Sequence, residues 1–229
     1  MNAEYFYDIE QGTDEWHALR LGVLTASVAK DIITPKLKIA ANQTVRSLID
    51  KLAAERITGR PSPHFETYDM ARGHTEEIIA RDIYSQQIRN VDQCGFIKDG
   101  CLGFSPDGLV GENGFIEIKS RQAKFQVNTV VQDCVPVEYM AQIQFGFIVS
   151  GREWCDFVQY SNGMPLFVKR VLPDQEYIDV LKEAADLCEG YIEEIIYVYN
   201  ETVKKENFIQ TEWIDNTDDY QTDDLEATE

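Results

Sequence analysis

The feature that most limits the fold of this 229-residue chain is a run of short β-prone segments near its middle. Turn-forming DG, PDG and ENG sequences separate these segments, and helical patterns lie on both sides of the run. A meander of four strands is therefore predicted, at 95–98, 102–104, 109–110 and 115–119. Helices before and after a compact group of strands indicate a single mixed α/β domain, with one central mixed β-sheet flanked by helices.

Helical patterns with start and stop signals precede the predicted strands. Thr25 is placed as the N-cap of a helix over 25–33, which ends before Pro35. Three further helices are predicted at 14–20, 42–58 and 66–87.

The second half of the chain returns to helices after two more strands. Helices are predicted at 122–132 and 136–149, followed by strands at 154–160 and 166–172. Pro173 then opens a long C-terminal helix of about thirty residues. Its apolar positions recur at steps of three and four and are expected to pack against the core: Tyr177, Leu181, Ala184, Cys188, Tyr191, Ile195 and Val198.

The acidic residues are distributed unevenly. Forty Asp and Glu residues against 21 Lys and Arg give a net charge of −19, which taken alone disfavours an anionic partner such as nucleic acid. However, residues 206–229 hold nine acidic residues and no basic ones, whereas residues 20–124 hold 15 basic and 13 acidic ones. We therefore predict one folded domain over 1–205 and an acidic C-terminal tail over 206–229, partly disordered or used as an interaction segment.

Cysteine spacing and hydropathy exclude several classes of protein. The five cysteines include no C-x-x-C pair, so reduced structural thiols are predicted instead of zinc or iron–sulfur ligands. No apolar run approaches the roughly 18 residues of a membrane-spanning helix, and the N-terminus does not resemble a signal peptide. A cytoplasmic protein that does not contact a membrane is expected.

The stretch FSPDGLVGENGFIEIKSR carries the chemistry. Asp107 lies in a turn, and Glu117 and Lys119 follow on one face of the last strand of the run. If the two segments pair as a hairpin, Asp107 returns close to Glu117. Two converging carboxylates need a cation, for which Mg²⁺ is suited, and a neighbouring lysine can orient the water that attacks a phosphodiester. The alternative is a surface turn with an exposed Glu–Lys pair.

This stretch resembles the metal-binding motif of the PD-(D/E)xK nuclease superfamily. The SPDG and EIK sequences are accompanied by three further blocks: QGTDEWHALRLGVLTAS, RGHTEE and YMAQIQF. Their order and approximate spacing resemble those of the phage lambda exonuclease and YqaJ-like viral recombinase family. The blocks extend from Gln11 to about Phe145. The resemblance implies a PD-(D/E)xK nuclease core for the central sheet and its helices.

The resemblance also implies roles at the metal site. Lys119 would position the attacking water. Two Mg²⁺ ions, replaceable by Mn²⁺, would be bound by three carboxylates and a main-chain carbonyl, those of Glu77, Asp107, Glu117 and Ile118. Glu76 is the competing candidate for the helix-borne carboxylate, and the spacing from Gly73 favours Glu77.

The DNA itself would be contacted by residues outside this motif. Gln142 matches a family glutamine that can hold a water or a phosphate oxygen, and Arg20 matches an arginine that binds a terminal 5′-phosphate. Thr25 and Ser27 would add hydroxyl and backbone donors at a helix start. The remaining candidates for DNA contact are Tyr139, Arg121 and Lys124.

The implied activity is Mg²⁺-dependent 5′-to-3′ exonuclease action on double-stranded DNA ends, preferably 5′-phosphorylated. Mononucleotides would be released and a 3′ overhang left for homologous recombination. The family further implies a homotrimeric ring, a single-strand annealing protein as partner, and a phage or prophage origin. Two alternatives are a related endonuclease or repair nuclease with the same metal core, and a non-enzymatic acidic protein that mimics DNA.

Overall fold

The computed structural model of the chain describes residues 2–62, 68–205 and 207–214. Its strands and helices confirm a mixed α/β architecture. The eight strands found among these residues are β1 (Glu4–Phe6), β2 (Leu24–Thr25), β3 (Phe96–Asp99), β4 (Leu102–Phe104), β5 (Gly108–Val110), β6 (Gly114–Ser120), β7 (Trp154–Tyr160) and β8 (Phe167–Val171). Their helices are α1 (Asp14–Arg20), α2 (Ala29–Ile32), α3 (Gln43–Thr58), α4 (Tyr68–Gln87), α5 (Ala123–Gln132), α6 (Met140–Ser150) and α7 (Gln175–Lys205), with 3₁₀ turns at Ala26–Val28 and Val137–Tyr139.

The strands form two four-stranded sheets, so the predicted single meander is wrong. The first sheet has the order β1-β3-β4-β2 and the second has the order β5-β6-β7-β8. The chain leaves one sheet after Phe104 and enters the other at Gly108, through Ser105, Pro106 and Asp107. Proline lacks the backbone N–H that would continue a strand ladder, which is consistent with the break between the sheets at this point.

The second sheet positions the candidate motif. Strands β5 and β6 form the predicted antiparallel hairpin, with Gly108 opposite Ile116. Strand β7 pairs parallel to β6 along its whole length, after the crossover through α5 and α6. Strand β6 is therefore a central strand, and its last four residues extend beyond the end of β5.

Local capping explains some helix boundaries and corrects one prediction. The Asn42 side chain accepts a hydrogen bond from the Val45 N–H, and Gly59 ends α3 in the left-handed region at φ 66°. Thr25 does not cap a helix as expected, because its hydroxyl lies 3.0 Å from that of Ser27 and makes no capping bond. The segment that follows is only a 3₁₀ turn and a four-residue helix.

The core is divided by the second sheet. Phe104, Phe115 and Phe147 belong to the larger cluster and meet edge to face, with ring centroids 5.0 and 5.1 Å apart. On the other face of the sheet, α4 packs over a smaller cluster consisting of Ala80, Tyr84, Val110, Ile116, Ile118, Val158 and Tyr160. The faces of β6 therefore alternate as its sequence predicts.

The predicted long helix is present as α7, but its buried stripe differs from the prediction at two positions. Tyr191 is 54% exposed and Val198 is 53% exposed. The helix buries Ile178, Leu181, Ala184, Ala185, Cys188 and Ile192. The predicted positions alternate steps of four and three, which average about 3.5 residues, whereas a straight α-helix has about 3.6 residues per turn, so the buried stripe drifts away from them along the helix.

Contacts divide the chain into two compact units, Met1–Ile196 and Tyr197–Glu229. In the second unit, residues 207–214 have no helix or strand, and Phe208, Ile209, Trp213 and Ile214 are exposed. The rest of the predicted tail, 206 and 215–229, lies outside the described residues, as do positions 66–67 of the predicted fourth helix. All five cysteines are free thiols. In the described part of the chain, no helix is long and apolar enough to span a membrane.

Candidate active site

The turn before β5 brings Asp107 to the end of strand β6. The backbone N–H of Ile118 donates a hydrogen bond to Asp107 Oδ2. Ile118 lies in the part of β6 that has no partner residue on β5, so the Asp107 side chain takes the place of a ladder partner. The carbonyl of a strand residue points to the same edge as its N–H, so the Ile118 carbonyl faces this side as well.

Glu117 is the most deeply buried charged residue of the site. It has no exposed surface, and its Oε1 lies 2.6 Å from the Lys119 ammonium, which is partly exposed. Neither carboxylate oxygen of Glu117 accepts a well-formed hydrogen bond from the described residues. A buried carboxylate with one cation and unused acceptor capacity needs a further electrophilic partner.

Helix α4 presents Glu77, not Glu76, to this pair of carboxylates. Glu77 is close enough to Asp107 and Glu117 for their charges to raise its pKa, and it forms an ion pair with Arg81. Glu76 instead accepts a hydrogen bond from Ser120, the last residue of β6. The geometry therefore favours Glu77 as the third carboxylate.

The pKa values of all three carboxylates are raised, chiefly by burial. Burial and repulsion from Asp107 raise the pKa of Glu77 to about 8. Burial raises the pKa of Glu117 to about 7 even though Lys119 lowers it, and burial also raises that of Asp107. Burial lowers the pKa of Lys119, but attraction to Glu117 and Asp107 outweighs this and leaves it raised. A divalent cation would stabilise all three carboxylates in their ionised form.

The chemistry of these residues fits Mg²⁺. Carboxylate and carbonyl oxygens are its preferred protein ligands. Among the described residues no group of three His, Cys, Asp or Glu side chains is already arranged around one point as a closed ligand set. Lys119, Arg81 and the Ile118 N–H are bonded to the three carboxylates, one to each. The oxygen donors that such an ion requires are present.

A polar pocket opens beside Lys119. Its lining includes the predicted residues Gln142, Tyr139, Arg121 and Ser27. The half-buried amide of Gln142 makes no hydrogen bond to any described residue, which leaves it free for a ligand. Lys30 and Glu138 complete the lining.

The two basic residues predicted near the strand end differ in placement. Arg121 donates to the Tyr139 hydroxyl and lies 3.1 Å from Glu138 Oε1. The Lys124 ammonium lies 4.9 Å from the centre of the Phe125 ring and does not line this pocket. The structure thus brings Arg121 to the site but not Lys124.

A second pocket surrounds Arg20. Its guanidinium lies 4.0 Å from the Trp16 ring centre, donates to Ser105 Oγ at 3.0 Å, and reaches Ser27 Oγ at 3.5 Å. Burial lowers the pKa of Arg20 to about 10, and no carboxylate in the described part of the chain lies within ion-pair distance. A partly buried arginine without an acidic partner suits an anion. Thr25 also lines this pocket.

The structure does not give Thr25 and Ser27 the helix dipole that the sequence predicts. The prediction places them at a helix start whose dipole favours an anion. They lie instead beside a three-residue 3₁₀ turn, which is too short for a substantial dipole. Thr25 and Ser27 can therefore bind an anion only through their hydroxyl groups, whose oxygens lie 3.0 Å apart, and through their backbone N–H groups.

Ser105 was not singled out from the sequence, although it is part of the SPDG block. Its Oγ accepts hydrogen bonds from Arg20 at 3.0 Å and from Trp16 Nε1 at 2.9 Å. Its own hydroxyl hydrogen is then left to donate to a ligand. Only the contact of α1 with the end of β4 reveals this role, because Ser105 is more than 80 residues from Trp16 and Arg20 in the sequence.

Comparison with known proteins identifies the family of the chain. A family model described as the YqaJ-like viral recombinase domain matches residues 15–153. The chain belongs to the YqaJ-like viral recombinase family. The matched region contains every residue placed in the two pockets and in the carboxylate cluster of this YqaJ-like protein.

Solved structures support the same relationship. The alkaline exonuclease LHK-Exo from Laribacter hongkongensis is 30% identical, with a TM-score of 0.75 over 85% of this chain and 100% of that one. The same enzyme in complex with dAMP matches equally well. A phage-related exonuclease from Haemophilus somnus 129PT shares the fold at 13% identity, with a TM-score of 0.58 over 77% of this chain and 96% of that one. No curated protein matches the chain.

Proposed function

We propose that this YqaJ-like protein is a Mg²⁺-dependent exonuclease that degrades one strand of duplex DNA from its 5′ end. It would release mononucleotides and leave a 3′ overhang for recombination. The observation that carries the proposal is the convergence of Asp107, Glu117 and Glu77 around Lys119 at the end of β6. Likeness to an alkaline exonuclease and to its dAMP complex supports the same reaction class.

The three carboxylates and the Ile118 carbonyl would hold the metal. When bound, Mg²⁺ supplies Lewis acidity, which neutralises charge on a phosphodiester oxygen and lowers the pKa of water. Lys119 holds its ammonium beside Glu117 and towards the pocket, where it can orient an attacking water. The free amide of Gln142 can hold that water or a phosphate oxygen, and Tyr139, one helical turn earlier, lines the same pocket.

The Arg20 pocket would bind the terminal 5′-phosphate. Arg20 has no acidic partner among the described residues, and Ser105, Ser27 and Thr25 add hydroxyl groups around it. Ser27 lines both pockets, so a phosphate bound at Arg20 would lie next to the pocket that contains Lys119. This arrangement supports the proposed preference for phosphorylated ends and the proposed movement from the 5′ end.

We further infer a homotrimeric ring around DNA and a single-strand annealing protein as partner. Both rest on family likeness. Light scattering coupled to size exclusion would measure the first, with a trimer mass expected near three times the chain mass of 26.2 kDa.

One assay tests the activity and its polarity. Linear duplexes labelled at the 5′ or 3′ end, with and without a 5′-phosphate, are incubated beside covalently closed circles in Mg²⁺ or in chelator. We expect 5′-terminal mononucleotides to be released from phosphorylated linear DNA, and only when Mg²⁺ is present. Cutting of the closed circle would instead indicate a related endonuclease. Absence of any Mg²⁺-dependent hydrolysis would contradict the proposal and favour a DNA mimic.

A further inference from the structure

Arg81 makes two hydrogen bonds that join different parts of the candidate site. It lies on α4 one turn after Glu77, and its Nη2 donates to Glu77 Oε1. Its Nε donates at 2.6 Å to the main-chain carbonyl of Asp107, which lies in the turn before β5. The Arg81 side chain is only 16% exposed. One guanidinium therefore connects the helix carboxylate to the motif turn.

An ordinary surface ion pair does not explain this contact. Pairs of Glu and Arg four residues apart on an exposed helix contribute little to stability, because water screens them. Here the second bond leaves the helix, and it reaches a residue whose own side chain is held by the Ile118 N–H. Asp107 is thereby held at its carboxylate and at its carbonyl.

The charges around Arg81 give this bridge a function. Glu77, Asp107 and Glu117 bring three negative charges together, and Lys119 and Arg81 are the cations bonded to the cluster. Repulsion among the carboxylates would rotate Glu77 towards solvent if nothing held it. The fork of Arg81 can bond Glu77 and the Asp107 carbonyl at once because its N–H groups are fixed in one plane.

We infer that Arg81 is a positioning residue that holds Glu77 and Asp107 in place for the divalent cation. This inference rests on the proposed function, because it takes Glu77 and Asp107 as metal ligands. Residues that orient metal ligands typically change metal affinity about 10–100-fold when they are replaced.

Two substitutions distinguish a positioning role of Arg81 from an effect of its charge alone on cation binding. Arg81→Met removes the bridge and the charge, whereas Arg81→Lys keeps the charge but cannot reproduce the planar fork. If Arg81 acted only through its charge, Arg81→Met would bind a divalent cation more tightly and Arg81→Lys would be unchanged. If Arg81 positions the ligands, both variants bind the cation more weakly.

The test is Mn²⁺ binding to the full chain by isothermal titration calorimetry, with Arg89→Met as the control. Arg89 is an exposed arginine just beyond α4, with its guanidinium 5.7 Å from the Trp154 ring centre. Both Arg81 variants are expected to bind Mn²⁺ at least about tenfold more weakly, and Arg89→Met to match the wild type. Unchanged or tighter binding in the Arg81 variants would overturn the inference.

A parallel measurement distinguishes failure of this inference from failure of the proposed function. The Mg²⁺ concentration for half-maximal hydrolysis of linear duplex should rise about tenfold in the Arg81 variants, while KM for DNA stays within about twofold. If the Arg81 variants are active with a normal Mg²⁺ dependence, the inference about Arg81 is overturned and the proposed nuclease function is not. Weaker Mn²⁺ binding in a protein that hydrolyses no DNA would support it and contradict only the nuclease proposal. If Arg81→Met fails to fold in a thermal melt, Arg81→Lys decides the result.

Discussion

At the scale of single residues, charge compensation at the end of β6 depends on Lys119. Its ammonium is 2.6 Å from Glu117, a carboxylate with no exposed surface, and it also borders the pocket that contains Gln142. The same side chain can therefore lower the pKa of Glu117, which burial raises, and orient a water. A residue with both roles should affect the rate of reaction much more than the binding of DNA.

We expect Lys119→Ala to bind phosphorylated duplex ends normally but to hydrolyse them at least about a hundredfold more slowly. The rate is measured by release of labelled mononucleotide, and binding by fluorescence anisotropy in Ca²⁺. Lys182→Ala, at an exposed position on α7, is the control and should keep wild-type values. Hydrolysis by Lys119→Ala at a near-normal rate would contradict the role given to this lysine.

Ser105 allows a second test at the same scale. Its hydroxyl accepts from Arg20 and Trp16 and is free to donate to a bound phosphate. Loss of one hydrogen bond to a charged group costs about 1.5 kcal/mol, or roughly tenfold in affinity. Ser105→Ala should therefore reduce the preference for 5′-phosphorylated over 5′-hydroxyl ends about tenfold in kcat/KM. An unchanged preference would show that Ser105 only supports Arg20.

At the scale of elements, an ion pair joins helix α3 to the long C-terminal helix α7. Both Nη atoms of Arg56 donate to the carboxylate of Glu189, Nη2 at 2.8 Å, and Arg56 Nε donates to the Gly22 carbonyl at 2.7 Å. The two side chains are 24% and 22% exposed. This contact joins α3 and α7 to the loop that follows α1. Arg20 is the last residue of α1.

The hydrogen bond from Arg56 lowers the pKa of Glu189 below its usual value. A lowered pKa means that the stabilisation is present above the pH at which glutamate titrates in the unfolded chain, about 4.3, and is lost as the pH falls through the lower folded value. Glu189→Gln should reduce the free energy of unfolding at pH 7 by about 1–2 kcal/mol. This difference should shrink below about pH 4.

Urea unfolding followed by circular dichroism at several pH values measures this dependence. Glu183→Gln, at an exposed position on the same helix, is the control and should change stability by less than about 0.5 kcal/mol. A constant difference between wild type and Glu189→Gln across the acid range would show that packing, and not the ionised pair, stabilises the contact.

At the scale of the whole molecule, the charge of −19 must be compatible with a polyanionic substrate. Nine of the negative charges lie in residues 206–229, outside the region 15–153 that matches the family. Cations line the two pockets where DNA is proposed to bind, through Arg20, Lys51, Lys30, Lys119 and Arg121. The long-range repulsion from the acidic segment should therefore oppose non-specific binding more than binding of a DNA end.

Removal of residues 206–229 should strengthen binding to closed circular duplex about three- to tenfold at low salt, because nine negative charges are lost. The gain should disappear as the salt concentration is raised, since screening shortens the range of the repulsion. A chain with the nine acidic residues changed to Asn or Gln is the matched control and should behave like the truncation. Equal binding by all three chains at low salt would contradict this role.

Much of the local structure followed from the sequence. Turn signals and alternation of side chains located the strands from 96 to 120 within about two residues, and the hairpin predicted that Asp107 returns towards Glu117. Helix α3 likewise begins after Asn42 and ends at Gly59. Such features depend on backbone sterics and capping within a few residues, which is why a single sequence contains them. Family membership followed from blocks of the same local kind and is confirmed.

The sequence by itself determined the elements, the motif and the family. Only the tertiary structure decided that the strands form two sheets, that Glu77 and not Glu76 faces the carboxylates, that Ser105 contacts Arg20, and that Arg81 bridges Glu77 and Asp107. Each of these depends on contacts between elements distant in sequence. Helical phase alone cannot choose between adjacent glutamates, because the choice depends on which face of α4 packs against β6. Long-range packing therefore assembled a site whose parts the chain already carried.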